Sequence, residues 1–289
     1  MSVPLLHLQD PLTRLSIAPE LGASLVNWQA SASGQALLRP ADAAALASGS
    51  PRRLGCYPLV PWSNRIGEGG FQRPDGWLAL APNTGHDPYP IHGSAWQQPW
   101  QVEQHSEHHA RLSLDSTLPF AYRATLDVHL HEGCLAIDLQ ATHLDSAASW
   151  YGLGLHPYFP RHPDTRLQAQ ARTVWLAENG ALPSRQAEVP DHWNFARART
   201  LPATVVDHAF SEWPGHCVIE QPGAGYRLLC SASGAEHFVL FCPHEQPFFC
   251  FEPVSHPINA HHLPGRPGLR LLQEGESISL GLRMHYQPM

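Results

Sequence analysis

Between residues 277 and 286 the chain alternates without a break. Ile278, Leu280, Leu282, Met284 and Tyr286 are apolar or aromatic, and Ser277, Ser279, Gly281, Arg283 and His285 fall between them. Period two is the repeat of a β-strand with one face buried, because successive side chains point to opposite sides of the pleat. The same repeat runs through Ala124, Leu126, Val128 and Leu130, stops at Glu132-Gly133, and resumes with Leu135, Ile137 and Leu139. That pattern predicts a hairpin. Shorter runs predict strands at 12–18, 24–29, 110–114, 149–155, 217–220, 226–231 and 237–242, with Gly152-Leu153-Gly154 inside one of them. A short helix is predicted at 41–47.

Elsewhere 28 prolines and 22 glycines divide the sequence too often for long helices. Many short strands separated by turns predict an all-β fold, a large β-sandwich or a barrel. No internal repeat or linker-like stretch interrupts the pattern, so residues 1–289 read as a single domain. The proline-rich segments 51–61, 82–99 and 156–163 read as loops carried on the sheets, where functional groups concentrate.

Composition narrows the ligand classes. A net charge of −7 with only 18 Lys plus Arg offers no electrostatic footprint for nucleic acid or an anionic membrane, so a small neutral ligand is expected. No run reaches the roughly 18–20 uninterrupted apolar residues of a membrane span. The first 19 residues have no basic region followed by an apolar one, and a soluble, cytoplasmic protein is expected. Six scattered cysteines in a chain this long predict buried thiols rather than disulfides.

The chemistry concentrates in Cys250-Phe251-Glu252-Pro253-Val254-Ser255-His256, where a carboxylate sits among aromatics and a cysteine. Burial there would raise its pKa toward the range of a general base. Four further segments set polar groups among aromatics and prolines: Tyr57 to Ile66, Ile91 to Trp96, Gly154 to Phe159, and Val206 to Phe210. The Glu252 segment itself continues through Pro257-Ile258-Asn259-Ala260. In order and spacing the five resemble the aldose 1-epimerase (galactose mutarotase) family, from the Gly22-Ala23 turn to the last strand.

The resemblance implies a large β-sandwich of the galactose-mutarotase type and a cofactor-independent enzyme that interconverts the α and β anomers of free aldoses. It implies His156 as general acid, Glu252 as general base, and Asn64, Arg65, His92 and Asp207 as sugar contacts. The reaction itself asks for such groups. Opening a pyranose removes a proton from the anomeric hydroxyl and delivers one to the ring oxygen, which places an acid and a base on opposite sides of one sugar. A buried carboxylate suits the first task, and an imidazole with an unperturbed pKa of about 6.5 suits the second. Trp62, Trp96 or Tyr158 would supply an apolar face for the ring.

Each residue also has a plainer reading: Glu252 as a salt-bridged strand carboxylate, Arg65 as a loop brace, Asn64 and Asp207 as turn residues, and any of 20 histidines as a hydrogen-bonded one. His261-His262, His108-His109 and Cys242-Pro243-His244 lack zinc-site spacing, and neighbours on a strand face opposite ways, so no metal is expected. No phosphate-binding glycine loop and no nucleophile elbow occurs. The rivals are a hexose-6-phosphate epimerase of the same fold, which needs extra basic residues, a non-catalytic sugar-binding protein, and a structural module. The loop Pro61-Trp62-Ser63-Asn64-Arg65-Ile66 favours a free monosaccharide.

Overall fold

The computed structural model describes residues 3–177 and 181–289. Two antiparallel sheets dominate them. The first has nine strands in the order Phe195–Thr200, Arg166–Ala169, His216–Gln221, Tyr226–Ser233, Ser277–Pro288, Cys134–His143, Tyr122–His131, His109–Ser116 and Gln101–His105. The second runs Arg185–Glu188, Thr173–Leu176, Val206–Ser211, His237–Cys242, Phe248–Val254, Gly154–Leu155 and Pro58–Leu59, with Tyr158–Pro160 also paired to Phe248–Val254. A three-stranded sheet, Leu6–Gln9, Thr13–Ala18 and Ser24–Ala30, lies at the N-terminal end of the chain.

The alternation read from the sequence marks the inner face of the nine-stranded sheet. Leu126, Val128, Leu135, Ile137, Leu282 and Met284 join one buried cluster with Phe210, Phe238, Leu240, Phe249 and Phe251 of the other sheet. Two sheets closing on one apolar layer make a sandwich. The predicted hairpin pairs Leu130 with Leu135 and Leu126 with Leu139. The predicted helix forms at Ala43–Ala47, started by the Asp42 side chain, which accepts from the Ala45 N–H at 2.7 Å. All six cysteines are free thiols.

One predicted strand is divided. Ser149–Tyr151 pairs with Arg270–Leu272, Gly154–Leu155 pairs in the eight-stranded sheet, and Gly152 and Leu153 belong to neither. The His256 ring occupies the space beside Gly152, where a Cβ would lie 1.8 Å from its Cδ2. The glycine that looks like part of a strand is therefore a contact point for a ring. The proline-rich segments carry short regular pieces as well, including Pro51–Arg53, Pro58–Leu59 and Tyr158–Pro160.

The strand Phe248–Val254 explains where a site can form. Phe249 and Phe251 point into the sandwich, whereas Cys250, Glu252 and Val254, on the other face, are covered by loops and are also buried. With both faces covered the strand loses period-two alternation. Its outer face becomes the floor of a cleft.

Candidate active site

Glu252, Asp207 and His156 reach the cleft from the eight-stranded sheet and its margin, and Asn64, Arg65 and His92 from two loops. All six residues named from the sequence line this one cleft, together with Arg52, Ile91, Tyr158 and Phe241. Phe241 lies opposite Asp207 in the sheet, and Val239 lies opposite Glu252.

The loops are fixed by reciprocal bonds. The Asn64 N–H donates to His92 Nδ1 at 3.0 Å, and the His92 N–H donates to the Asn64 carbonyl at 3.0 Å. Both residues hold left-handed backbone, with φ of 59° and 64°. Gly93 follows at φ 65°, where a Cβ would lie 2.0 Å from the Val60 carbonyl oxygen, so only glycine fits there. Asn83 clamps this turn, donating to the carbonyls of Ile91 and Gly93 and accepting from the Ile91 N–H. From the far side, His256 Nε2 accepts from the Ser63 N–H at 3.1 Å, and Asn259 Oδ1 accepts from the Gly67 N–H at 2.8 Å. The end of the Glu252 motif thus braces the loop that presents Asn64 and Arg65.

These bonds settle donor directions. Because His92 Nδ1 accepts a backbone N–H, the proton of the neutral ring sits on Nε2, which makes it a donor. Burial, with His156, Arg52 and Arg65 nearby, holds His92 well below the usual histidine range, so it is neutral. The Arg65 Nε donates to Asp87 Oδ2 at 2.8 Å, and its Nη1 lies 3.6 Å from Asp207 Oδ2.

His156 Nε2 lies 3.4 Å from Glu252 Oε1. The imidazole stacks on both Tyr57 and Tyr158, with centroids 4.7 and 4.6 Å away. Glu252 is 2% exposed, and its Oε2, like His156 Nδ1, has no hydrogen-bond partner among the described residues. Burial and the Asp207 charge push the Glu252 carboxyl well above the ordinary carboxylate range, against the opposing pull of Arg65 and Arg52. Burial, helped by Arg52 and Arg39, pushes His156 well below 6.5. The unperturbed imidazole value used in the sequence argument therefore does not apply inside the cleft. Both shifts favour the neutral forms, and at this separation the two groups titrate as a coupled pair.

Two geometric expectations need correction. His156 and Glu252, expected as acid and base on opposite sides of a ring-sized gap, adjoin each other. Two adjoining groups can reach two oxygens bonded to the same carbon. Of the three proposed aromatic platforms, only Tyr158 lines the cleft. Trp62 packs into the core against Phe71 and His261, and Trp96 stacks beneath Tyr57.

The sequence reading missed Asp87, which is buried and anchors Arg65, and Arg52. An acid in the turn His86-Asp87-Pro88 was the available signal for the first. Arg52 carries none, since its reach into the cleft depends on tertiary folding. Its guanidinium contacts the His86 ring, and no carboxylate is paired with it among the described residues. His156, Cys250 and Glu252 also bring ligand-type atoms within 4.8 Å of one another. Metal ligation needs the deprotonated thiol and carboxyl, and burial pushes both pKa values up while two guanidiniums share the cleft. The set suits proton sharing better than a cation.

Comparison with known proteins places this arrangement. The family model for aldose 1-epimerase matches residues 4–285. The chain belongs to the aldose 1-epimerase family. It is 32% identical over 262 residues to the uncharacterised Escherichia coli K12 protein YphB, covering 86% of this chain and 89% of that one. A crystal structure of an Escherichia coli K12 protein, whose aldose 1-epimerase description is itself provisional, superposes with a TM-score of 0.93 at 29% identity over 99% of both chains. A galactose mutarotase-like protein from Clostridium acetobutylicum shares the fold, with a TM-score of 0.87 at 17% identity over 98% and 95% of the two chains. The sandwich is thus the galactose-mutarotase fold, and the family is one of sugar epimerases.

Proposed function

We propose that this aldose 1-epimerase family member interconverts the α and β anomers of a free, unphosphorylated aldose, with Glu252 and His156 as its acid–base pair. The observation that carries the reading is their 3.4 Å contact on the buried floor of a cleft lined by donors and acceptors. The proton that burial favours on Glu252 passes to His156 Nε2 across their 3.4 Å contact, and the carboxylate so formed takes the proton of the anomeric hydroxyl. The O–H electron pair becomes the second bond of the carbonyl, the bond from the anomeric carbon to the ring oxygen breaks, and that oxygen takes the proton held on His156. Rotation about the adjacent carbon–carbon bond and the reverse transfer close the ring on the other face. One proton leaves the sugar and one returns, so the pair needs no outside reactant.

The remaining side chains hold the sugar. His92 Nε2–H and the Arg65 guanidinium donate to sugar oxygens, the ring oxygen included as charge gathers there, and Asp207 accepts from hydroxyls. Tyr158 offers an apolar face. A phosphate dianion would find one guanidinium without a carboxylate partner, Arg52, because Arg65 is committed to Asp87 and Asp207. That favours the free sugar over the hexose-6-phosphate reading.

Polarimetry of freshly dissolved α-glucose, α-galactose and glucose 6-phosphate tests this directly. Faster decay of rotation with a free aldose than with the phosphate is expected. Binding of sugars without acceleration would make the protein a sugar-binding one.

A further inference from the structure

On the outer face of the nine-stranded sheet, remote in the fold from the Glu252 face of the other sheet, three residues meet that no part of the sugar chemistry uses. His109 and His129 lie directly opposite each other on paired strands, and Asp127 is two residues before His129, on the same face. Their rings are stacked with centroids 4.1 Å apart, and His109 Nε2 lies 2.9 Å from Asp127 Oδ1. One ligand-type atom from each of the three falls within 4.8 Å of the other two. The pairing His108-His109, read along the chain, is not the relevant one. His108 bonds the Gln9 carbonyl, while His109 finds its partners across the strands.

We propose that His109, Asp127 and His129 form a binding site for a divalent first-row transition cation of the zinc type. Two imidazole nitrogens and one carboxylate oxygen are a common ligand set for such an ion, with water completing a tetrahedron. Three features of the sheet suit the role. The two strands pair from His109–His129 to Ser116–Tyr122, so the ligand Cα positions are fixed before any ion arrives. Asp127 is oriented by a neighbour: Arg111 Nη1 donates to its Oδ2 at 2.6 Å, leaving Oδ1 toward the imidazoles, as outer-shell partners do in metal sites. Arg111 is in turn held by Glu103 Oε2 at 3.0 Å, so two carboxylates offset its charge beside the ion. The adjoining Asp138, opposite Asp127 on the next strand, is taken up by Arg283 through two bonds of 2.9 and 2.7 Å and is not a ligand. His129 is exposed, so its ring is free to turn out of the stack on coordination.

The test uses the full-length protein without a histidine tag. Zn²⁺ is titrated by calorimetry, and Co²⁺ by its visible spectrum, at pH 7.5. One ion of nitrogen and oxygen coordination is expected in the wild type, with a rise in Tm at saturating Zn²⁺. His109→Ala and His129→Ala should each weaken binding by at least about 10-fold, and Asp127→Asn by about 10-fold. The double histidine variant should lose the Tm shift while keeping its metal-free Tm and its mutarotation rate. Unchanged stoichiometry and affinity in that double variant would overturn the proposal. So would binding abolished by Cys250→Ser alone, which would put the ion in the sugar cleft.

Discussion

Burial acts on the two members of the proposed acid–base pair with opposite sign, raising the carboxyl of Glu252 and lowering the imidazole of His156. Both shifts favour the neutral forms, so the pair's proton rests on the carboxyl and moves to the imidazole before the carboxylate acts as base. Glu252→Gln keeps the shape and removes the base, so sugar binding should persist while anomer exchange falls by about 10²-fold or more. His156→Asn should act alike, and the double variant should lose less than the product of the two. Polarimetric rates set against anomer affinity measure all three. Near-wild-type exchange in Glu252→Gln would remove the assignment. Arg52 adds a second residue-scale expectation. Its charge lowers the pKa of both Glu252 and His156, so Arg52→Gln should move both limbs of the pH–rate profile to higher pH. Arg52→Lys should restore them, whereas a purely structural role would lower the rate without moving either limb.

At the scale of elements, the strand Phe248–Val254 and the loop from Val60 to Gly67 depend on each other through His256. Its Nδ1–H donates to the Pro257 carbonyl and its Nε2 receives the Ser63 N–H, so the neutral ring acts as a strut. Gly152→Ala would place a methyl inside that ring. Displacing His256 leaves a buried N–H unpaired, and a loss of about 1–3 kcal/mol plus steric strain is expected in denaturant titration. KM should rise with it, because the loop carrying Asn64 and Arg65 loses its support. Gly152→Ala with unchanged stability and KM would show that the strut is dispensable.

For the whole molecule, acid is the telling perturbation. His256 and His237 are buried, and burial lowers each to about 4 from 6.5. Between those values the unfolded chain binds protons that the folded one refuses, so stability falls as pH drops from 6.5 toward 4. Each ring contributes up to roughly 3 kcal/mol to that loss. Unfolding free energy measured at pH 7.5, 5.5 and 4.5 should decline steadily, and His237→Asn should flatten part of the slope. A stability independent of pH across this window would show that the rings are not held neutral.

Hydrophobic alternation along the chain was enough to mark the six central strands of the nine-stranded sheet, because one side of each faces the core and the other faces water. Ile278 to Tyr286 and the hairpin around Glu132-Gly133 are the clearest cases. The five segments that set polar groups among aromatics were legible too, since a charge beside Phe251 or a histidine near Tyr158 stands out against an apolar background, and the resemblance they carry singled out the six residues. Strands with no such contrast were not: Phe248–Val254 is buried on both faces, and Gln101–His105 is exposed along its whole length. Tertiary structure alone decided how the site works. Arg52, Asp87 and the strut His256 act through distances that sequence separation hides. The shifts of Glu252 and His156 come from how much water each has lost, which depends on the whole fold around them.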